Sequence, residues 1–306
     1  METAASCCEI LRLPEELLTA IISLTSPPDA CRAAAVSRAF CTAADSDTVW
    51  SCFLPSDLPR FADGELTHTP PSTKKRMFLC LADTPALLPC RLMSMRLDKV
   101  SGAKCYMLSA RALNISWGDT PTYWAWIDYG RDESKRDKRF TEVAKLREVC
   151  WLEIRGKIHS RMLSRNSVYS VYMVFDLAQG EYCNLHLPFQ DASVSFGGSE
   201  STRKICLQGV MEDGDGGVPI KHILPSRWKR WNPSDYAAIP PTDDDVVVSR
   251  RRADGWMELE LGEFYNGDDA DSEVFMSLRD INGGTFKEGF VVRSIEINEK
   301  NSVFQH

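Results

Sequence analysis

The chain has 306 residues, 43% of them hydrophobic and 26% charged, with a formal net charge of -7 and a pI near 5.4. That balance suits one large or two modest globular domains, and the negative sign excludes whole-molecule attraction to nucleic acid or to an anionic membrane, since both need clustered positive charge. The eleven cysteines are odd in number, scattered and free of any CxxC pair, so they read as reduced thiols of a cytoplasmic or nuclear protein rather than as a disulfide frame or a zinc site. No window approaches the roughly 18 apolar residues of a bilayer span, and Met1 to Ile10 lacks the basic and apolar regions of a secretory signal, so no membrane association is expected.

From Leu13 the pattern is helical: Leu13, Leu17, Leu18, Ile21 and Ile22 fall on one face, Pro14 suits a first turn, and Glu15 and Glu16 favour the positive helix end. Ser26-Pro27-Pro28-Asp29 stops this helix. A second runs through Cys31, Ala34, Ala35 and Val36, and a third through Phe40 and Ala43 with Ser37 as its cap. Asp45-Ser46-Asp47 caps a last short helix carrying Val49, Trp50 and Phe53. Some 45 residues in short helices are too few for a self-sufficient core, so an exposed apolar face and a partner are expected. In Leu13-Pro14-Glu15-Glu16-Leu17, Ile21-Ile22, Ser26-Pro27-Pro28-Asp29, Val36-Ser37-Arg38, Phe40 and Val49-Trp50, residues 9–55 resemble an F-box. The resemblance implies docking on a Skp-type adaptor and, through it, on a cullin-RING ubiquitin ligase. Leu13, Pro14, Leu17 and Ile21 are then the expected anchors of a helix-on-helix interface.

Residues 56–97 read as a connector. Pro59, Pro70 and Pro71 punctuate it after Pro55 at its border, and Ser72 caps a helix through Met77, Phe78 and Leu81. Its apolar content predicts packing against the larger domain that follows.

Over residues 98–299 the period becomes two. Leu152 and Ile154 alternate with Trp151, Glu153 and Arg155; Val168 to Leu177 is apolar on both faces; Ala192, Val194 and Phe196 end at Gly197-Gly198; Ile205 and Leu207 follow. Met257, Leu259 and Leu261 make another strand, Val274, Met276 and Leu278 lead to a hairpin-like Asn282-Gly283-Gly284, and Val291 to Ile297 close the series. Many short strands around one doubly apolar strand predict an antiparallel β-sandwich of jelly-roll type, which makes the whole chain an α+β multidomain protein. Arg131 to Arg139 reads as a solvated charged loop, and residues 211–252 as a long irregular insert. Within the insert, Glu212 to Gly217 lacks the spacing of a calcium loop, and Arg227-Trp228-Lys229-Arg230-Trp231 reads as a surface patch. No metal or cofactor is implied.

The stretch Trp117-Gly118-Asp119-Thr120-Pro121-Thr122-Tyr123-Trp124-Ala125-Trp126 holds three of the eight tryptophans. Gly118, Asp119 and Pro121 make it a turn, so its aromatics either offer flat faces to a sugar or peptide or plug the end of a core. With Tyr106 to Arg111, Val149 to Lys157, Asp254 to Leu259, Gly262-Glu263-Phe264 and Gly283-Gly284, this stretch resembles the phloem-lectin, or Nictaba-like lectin, domain. With the F-box ahead of it, the chain resembles the plant F-box proteins of the phloem protein two B-type group. What this implies is a sandwich that binds N-acetylglucosamine-containing glycans, with Trp117, Trp124, Glu273 and Asp280 at the sugar-contact positions. At the last of these the lectin has glutamate. Seven residues apart, Glu273 and Asp280 fall on opposite faces of a regular strand.

Two readings of the ligand follow: a glycoprotein sugar, or a protein surface with sugar binding lost. An enzyme is disfavoured. The five histidines are isolated, Glu258 and Glu260 sit on a solvent face by alternation, and ubiquitin transfer belongs to the partner enzymes.

Overall fold

The computed structural model describes residues 10, 13–66, 72–128, 139–178, 183–187, 189–213, 219–223, 237–238, 245–268, 271–281 and 284–300. They form two compact units, one comprising residues up to Pro89 with Met95–Cys105, the other Cys90–Ser94 with Tyr106–Lys300. Among the described residues no helix is long and apolar enough to cross a membrane.

The first unit is helical: α1 Glu15–Ser23, α2 Pro27–Ala34, α3 Arg38–Asp45, α4 Asp47–Phe53 and α5 Lys74–Asp83. Its starts are set locally. The hydroxyl oxygens of Ser26, Ser37 and Ser46 accept from the backbone N–H of Asp29 (3.3 Å), Phe40 (3.4 Å) and Val49 (3.4 Å), each satisfying a donor that the helix leaves free. Ser26-Pro27-Pro28-Asp29 therefore begins α2 as well as ending α1, because a proline at the first helical position loses no bond. Thr73, not Ser72, caps α5.

Leu18 and Ile22 of α1, Ala30 of α2 and Ala43 and Ala44 of α3 are all buried, and the small alanines let helices approach closely. Trp50 is the centre of this core. Its indole N–H donates to the Ala44 carbonyl at 2.7 Å, and its ring lies 5.6 Å from Phe53 and 5.3 Å from Phe78. Within the connector, Phe78 sets α5 against Trp50 of α4. Two strands, β1 Ala86–Leu87 and β2 Met93–Leu97, lead to β3 Lys104–Ser109. At the turn between β2 and β3, Gly102 adopts φ +78°, and a Cβ there would sit 2.5 Å from the Phe53 carbonyl, so only glycine allows the approach to α4.

The second unit continues with β4 Asn114–Ile115, β5 Trp124–Asp128, β6 Glu142–Leu146, β7 Leu152–His159, β8 Ser167–Leu177, β9 Gln190–Phe196 and β10 Ser199–Asp213. It ends with β11 Pro219–Ile223, β12 Ala237–Ala238, β13 Val247–Arg251, β14 Met257–Asn266, β15 Glu273–Asp280 and β16 Phe290–Glu299. The pairing order is β3-β16-β8-β14-β13-β10-β9-β15-β7-β4, and all these pairings except β13 on β10 are antiparallel where their register is defined. The sheet curls until its ends face each other. A Cβ on Gly262 of β14 would meet Val194 of β9 at 2.8 Å, and one on Gly156 of β7 would meet Ile295 of β16 at 3.0 Å. Strands that are not neighbours in the sheet thus touch through their faces, as the two layers of a sandwich do. The doubly apolar strand is β8, with Tyr169, Val171, Met173, Val174 and Phe175 all buried.

Two expectations are corrected. Asn282 and Gly283 lie outside the described residues, but their flanking strands do not form a hairpin: β15 pairs with β7 and β9, whereas β16 pairs with β3, β6 and β8. The chain crosses from one layer to the other there. The 211–252 insert is also not irregular throughout. It contains β11, β12 and β13, and β13 enters the main sheet between β10 and β14. Arg227 to Trp231, Gly214 to Gly217 and residues 131–138 lie outside the described residues.

Candidate ligand-binding edge

The turn from Ser116 to Tyr123 joins β4 to β5 and is closed by its own backbone. Gly118 N–H donates to the Ile115 carbonyl (2.9 Å), Thr120 to Trp117 (2.9 Å) and Trp124 to Thr120 (3.0 Å). Two of its indoles lie beneath it. Trp124 Nε1 donates to the Ser116 carbonyl at 3.1 Å and Trp126 Nε1 to the Gly118 carbonyl at 3.0 Å, so both rings brace the loop that precedes them. Trp126 is further covered by the Arg111 guanidinium, 3.6 Å from its ring centre.

Trp117 is the exception. It is 59% exposed at φ +63°, a left-handed conformation that costs a bulky residue on the order of 1–3 kcal/mol. Its neighbour is the exposed Tyr123, ring centres 6.1 Å apart. The strained backbone thus holds in water an indole that gains nothing from burial.

The turn is tied to β7 by Ser116 N–H donating to the Glu153 carbonyl at 3.0 Å. That contact also brings Ser116 Oγ within 3.2 Å of the Glu153 carboxylate, which accepts from Arg155 Nε at 3.0 Å and from the side chain of Trp151. Burial pushes the Glu153 carboxyl up, but the bonds from Arg155, Ser116 and Trp151 outweigh it and hold the carboxyl below its ordinary value. Trp151 is 49% exposed. Glu153 is therefore an acceptor flanked by the Arg155 guanidinium and by Trp151, a combination that can hydrogen-bond hydroxyls while covering an apolar face.

The four positions implied by the lectin resemblance are not assembled into one site. Trp117 is presented, whereas Trp124 is 2% exposed and has no face to offer. Asp280 is 5% exposed, 3.2 Å from Lys287 Nζ and 3.4 Å from Gln190 Nε2. Lys287 is itself buried and also donates to the carbonyls of Cys150 (3.0 Å) and Thr285 (3.3 Å). The seven-residue spacing is the cause: Asp280 turns inward and Glu273 outward, where Lys157 Nζ pairs with it at 2.7 Å. Glu273 lies opposite His159, six residues along β7 from Glu153, or about 20 Å at about 3.3 Å per residue. Trp117 and Glu273 thus stand near opposite ends of β7.

Trp151 and Glu153 are residues of this edge that the sequence did not single out as ligand contacts. Alternation already placed them together on the solvent face of one strand, but nothing local showed that Ser116 would dock beside them.

A second surface lies on the helical unit. Leu17 (51%) and Ile21 (47%) are exposed, Pro14 is exposed and Leu13 half-buried. The stripe continues through Leu24, and Val36 between α2 and α3 is also exposed, neither of which was singled out as an anchor; Leu24 follows Ile21 by three, the helical spacing that marks a shared face.

The comparisons match these two regions separately. Residues 10–55 fit the F-box-like model and residues 103–299 the Phloem protein 2 model. F-box protein PP2-B1 of Arabidopsis thaliana is 37% identical over 310 residues, covering 95% of this chain and 90% of that protein. Putative F-box protein PP2-B12 is 37% identical over 295 residues (95% and 98%), and F-box protein VBF 32% over 294 residues (95% and 100%), both from the same plant. With an F-box-like segment followed in the chain by a curled antiparallel sheet, this chain belongs to the phloem protein 2 family, among its members that carry an F-box.

Proposed function

We propose that the protein is the substrate-receptor subunit of a Skp-cullin-F-box ubiquitin ligase in the cytoplasm and nucleus, and that its sandwich recruits glycoproteins by binding an N-acetylglucosamine-containing glycan at the Trp117 edge. The ligase half is supported by the exposed aliphatic stripe of Leu17, Ile21 and Leu24 on an F-box-like segment; the chain is then a non-catalytic subunit. The observation that carries the sugar half is the strained, exposed Trp117, next in the chain to Ser116, whose Oγ lies 3.2 Å from the Glu153 carboxylate. Sites of this shallow kind bind modestly and gain from multivalency.

Burial of Trp124 and Asp280 favours a second reading, in which the same edge grips a protein surface. One pair of assays addresses both halves. Leu17→Ala with Ile21→Ala should weaken co-purification of a Skp-type adaptor by more than about 2 kcal/mol, the threshold of a hot spot; undiminished adaptor recovery would refute the docking face. On a glycan array, the native chain should retain chitooligosaccharides and the Trp117→Ala chain should not. An array blank for the native chain hands the edge to the protein-surface reading.

A further inference from the structure

Beyond the aromatic edge, the solvent face of β7, β15 and β9 carries a trough of about 220 Å³. The strand register explains its shape. Across the sheet, Arg155 lies opposite Ser277, Ser277 opposite Ser193 and Ser193 opposite Thr202, so three short hydroxyl side chains in succession lower the floor. On one side the next row is Lys157, Phe275, Ser195 and Glu200, and Phe275, 50% exposed, forms an aromatic wall. On the other side the row Glu153, Arg279, Asp191 and Lys204 forms a wall of charged side chains. Glu153 belongs both to this wall and to the aromatic edge, so the two features are continuous through the Glu153–Arg155 pair.

The charges select the ligand class. Arg155 pairs with Glu153, Lys157 with Glu273 (2.7 Å), Lys204 with Asp191 (2.6 Å), and Arg279 faces Glu200 at 4.0 Å. Four cations meet four anions, so the face attracts neither an acidic nor a basic ligand. An extended peptide is also disfavoured, because β15 and β9 each have partners on both sides and keep no open edge to pair with an added strand. What the trough does offer is hydroxyl chemistry. Ser193 and Ser277 bond each other at 2.9 Å; one supplies the proton, which leaves one O–H and several lone pairs for a ligand. The Phe275 ring suits the C–H face of a sugar. From Arg155 to Thr202 there are three inter-strand steps of about 4.8 Å, about 14 Å in all, longer than one pyranose ring.

We propose that this trough is a second subsite, which takes the neutral, hydroxyl-rich continuation of an oligosaccharide whose first residue sits at the Trp117 edge. The inference rests on the glycan reading above and adds that the receptor selects glycans by length. Calorimetric titration of the full-length chain with chitobiose and with chitopentaose tests it. The native protein should hold chitopentaose at least about tenfold more tightly. Phe275→Ala, and independently Ser195→Tyr, which crowds the trough from the row of Phe275, should erase that preference while leaving chitobiose affinity and thermal midpoint unchanged; Trp117→Ala should weaken both sugars. Equal affinities in the native chain, or a length preference that survives both trough variants, overturns the subsite and leaves the edge standing. Binding of neither sugar removes the edge reading and the subsite together, and a peptide captured at Phe275 assigns the trough to protein instead.

Discussion

Helices α1 to α4 leave aliphatic side chains in water, namely Leu17, Ile21, Leu24 and Val36, whereas the sandwich buries most of its aliphatics and exposes chiefly aromatics: Trp117, Tyr123, Trp151, Tyr265, Phe275 and Phe286. The two surfaces suit different partners. Aliphatic area stabilises a complex only by leaving water, so it needs a macromolecule large enough to cover it. Aromatic faces beside carboxylates and guanidinium groups offer contact and hydrogen bonds together, and a small polar ligand can use both reversibly. The helical unit has the aliphatic surface because its core is small, built on alanines around Trp50. The sandwich closes its core from both layers and buries most of its aliphatics.

The sharpest way to break this comparison is to ask whether Asp280 belongs to the interior or to the ligand. Asp280→Asn strips the buried Lys287 of its carboxylate and should destabilise the sandwich by about 3–5 kcal/mol, the cost of leaving one member of a buried pair uncompensated, as measured by urea unfolding. Unchanged stability together with lost sugar affinity would return Asp280 to the ligand site. A smaller effect of opposite sign is expected at the exposed edge. Trp117→Gly relieves the left-handed backbone and should raise stability by about 1 kcal/mol while abolishing glycan retention; a lower melting temperature would show that Trp117 is a packing residue after all.

The smallest effect concerns pH. Glu153 has a folded pKa below its ordinary value of 4.5, so the unfolded chain takes up that proton first. Its contribution is fully present above the unfolded value and fades as pH falls below about 4.5 and through the folded pKa. Thermal melts of Glu153→Gln should therefore show a slightly shallower loss of stability on acidification than the native chain, and an identical acid profile would mean that the Ser116, Trp151 and Arg155 bonds do not favour the charged form.

Two helix starts were legible because each depends on four consecutive residues: Ser37 and Ser46 cap α3 and α4 regardless of what packs above them, whereas Ser26 read only as a stop and Thr73 caps α5 in place of Ser72. Strand parity was legible for the same reason, and it correctly put Glu273 and Asp280 on opposite faces. What could not be read was which of two tryptophans seven residues apart would face solvent. Trp117 and Trp124 are chemically identical, and the choice follows from Trp124 opening β5 and reaching back to the Ser116 carbonyl. The Asn282-Gly283-Gly284 signal misled because turn residues permit a reversal without stating whether the next strand pairs beside the last or across the sandwich.

By itself the sequence determined the local elements, the split into a helical F-box-like segment and a β-rich domain, and the family to which both belong, since these rest on spacing and short-range bonds. Only the tertiary structure decided that Asp280 is an interior ion, that Trp124 is a brace, and that Glu153 joins Ser116, 37 residues away, at the exposed edge. Such assignments depend on which strands become neighbours when the sheet curls, and that is settled by burial over the whole domain rather than by any stretch of chain.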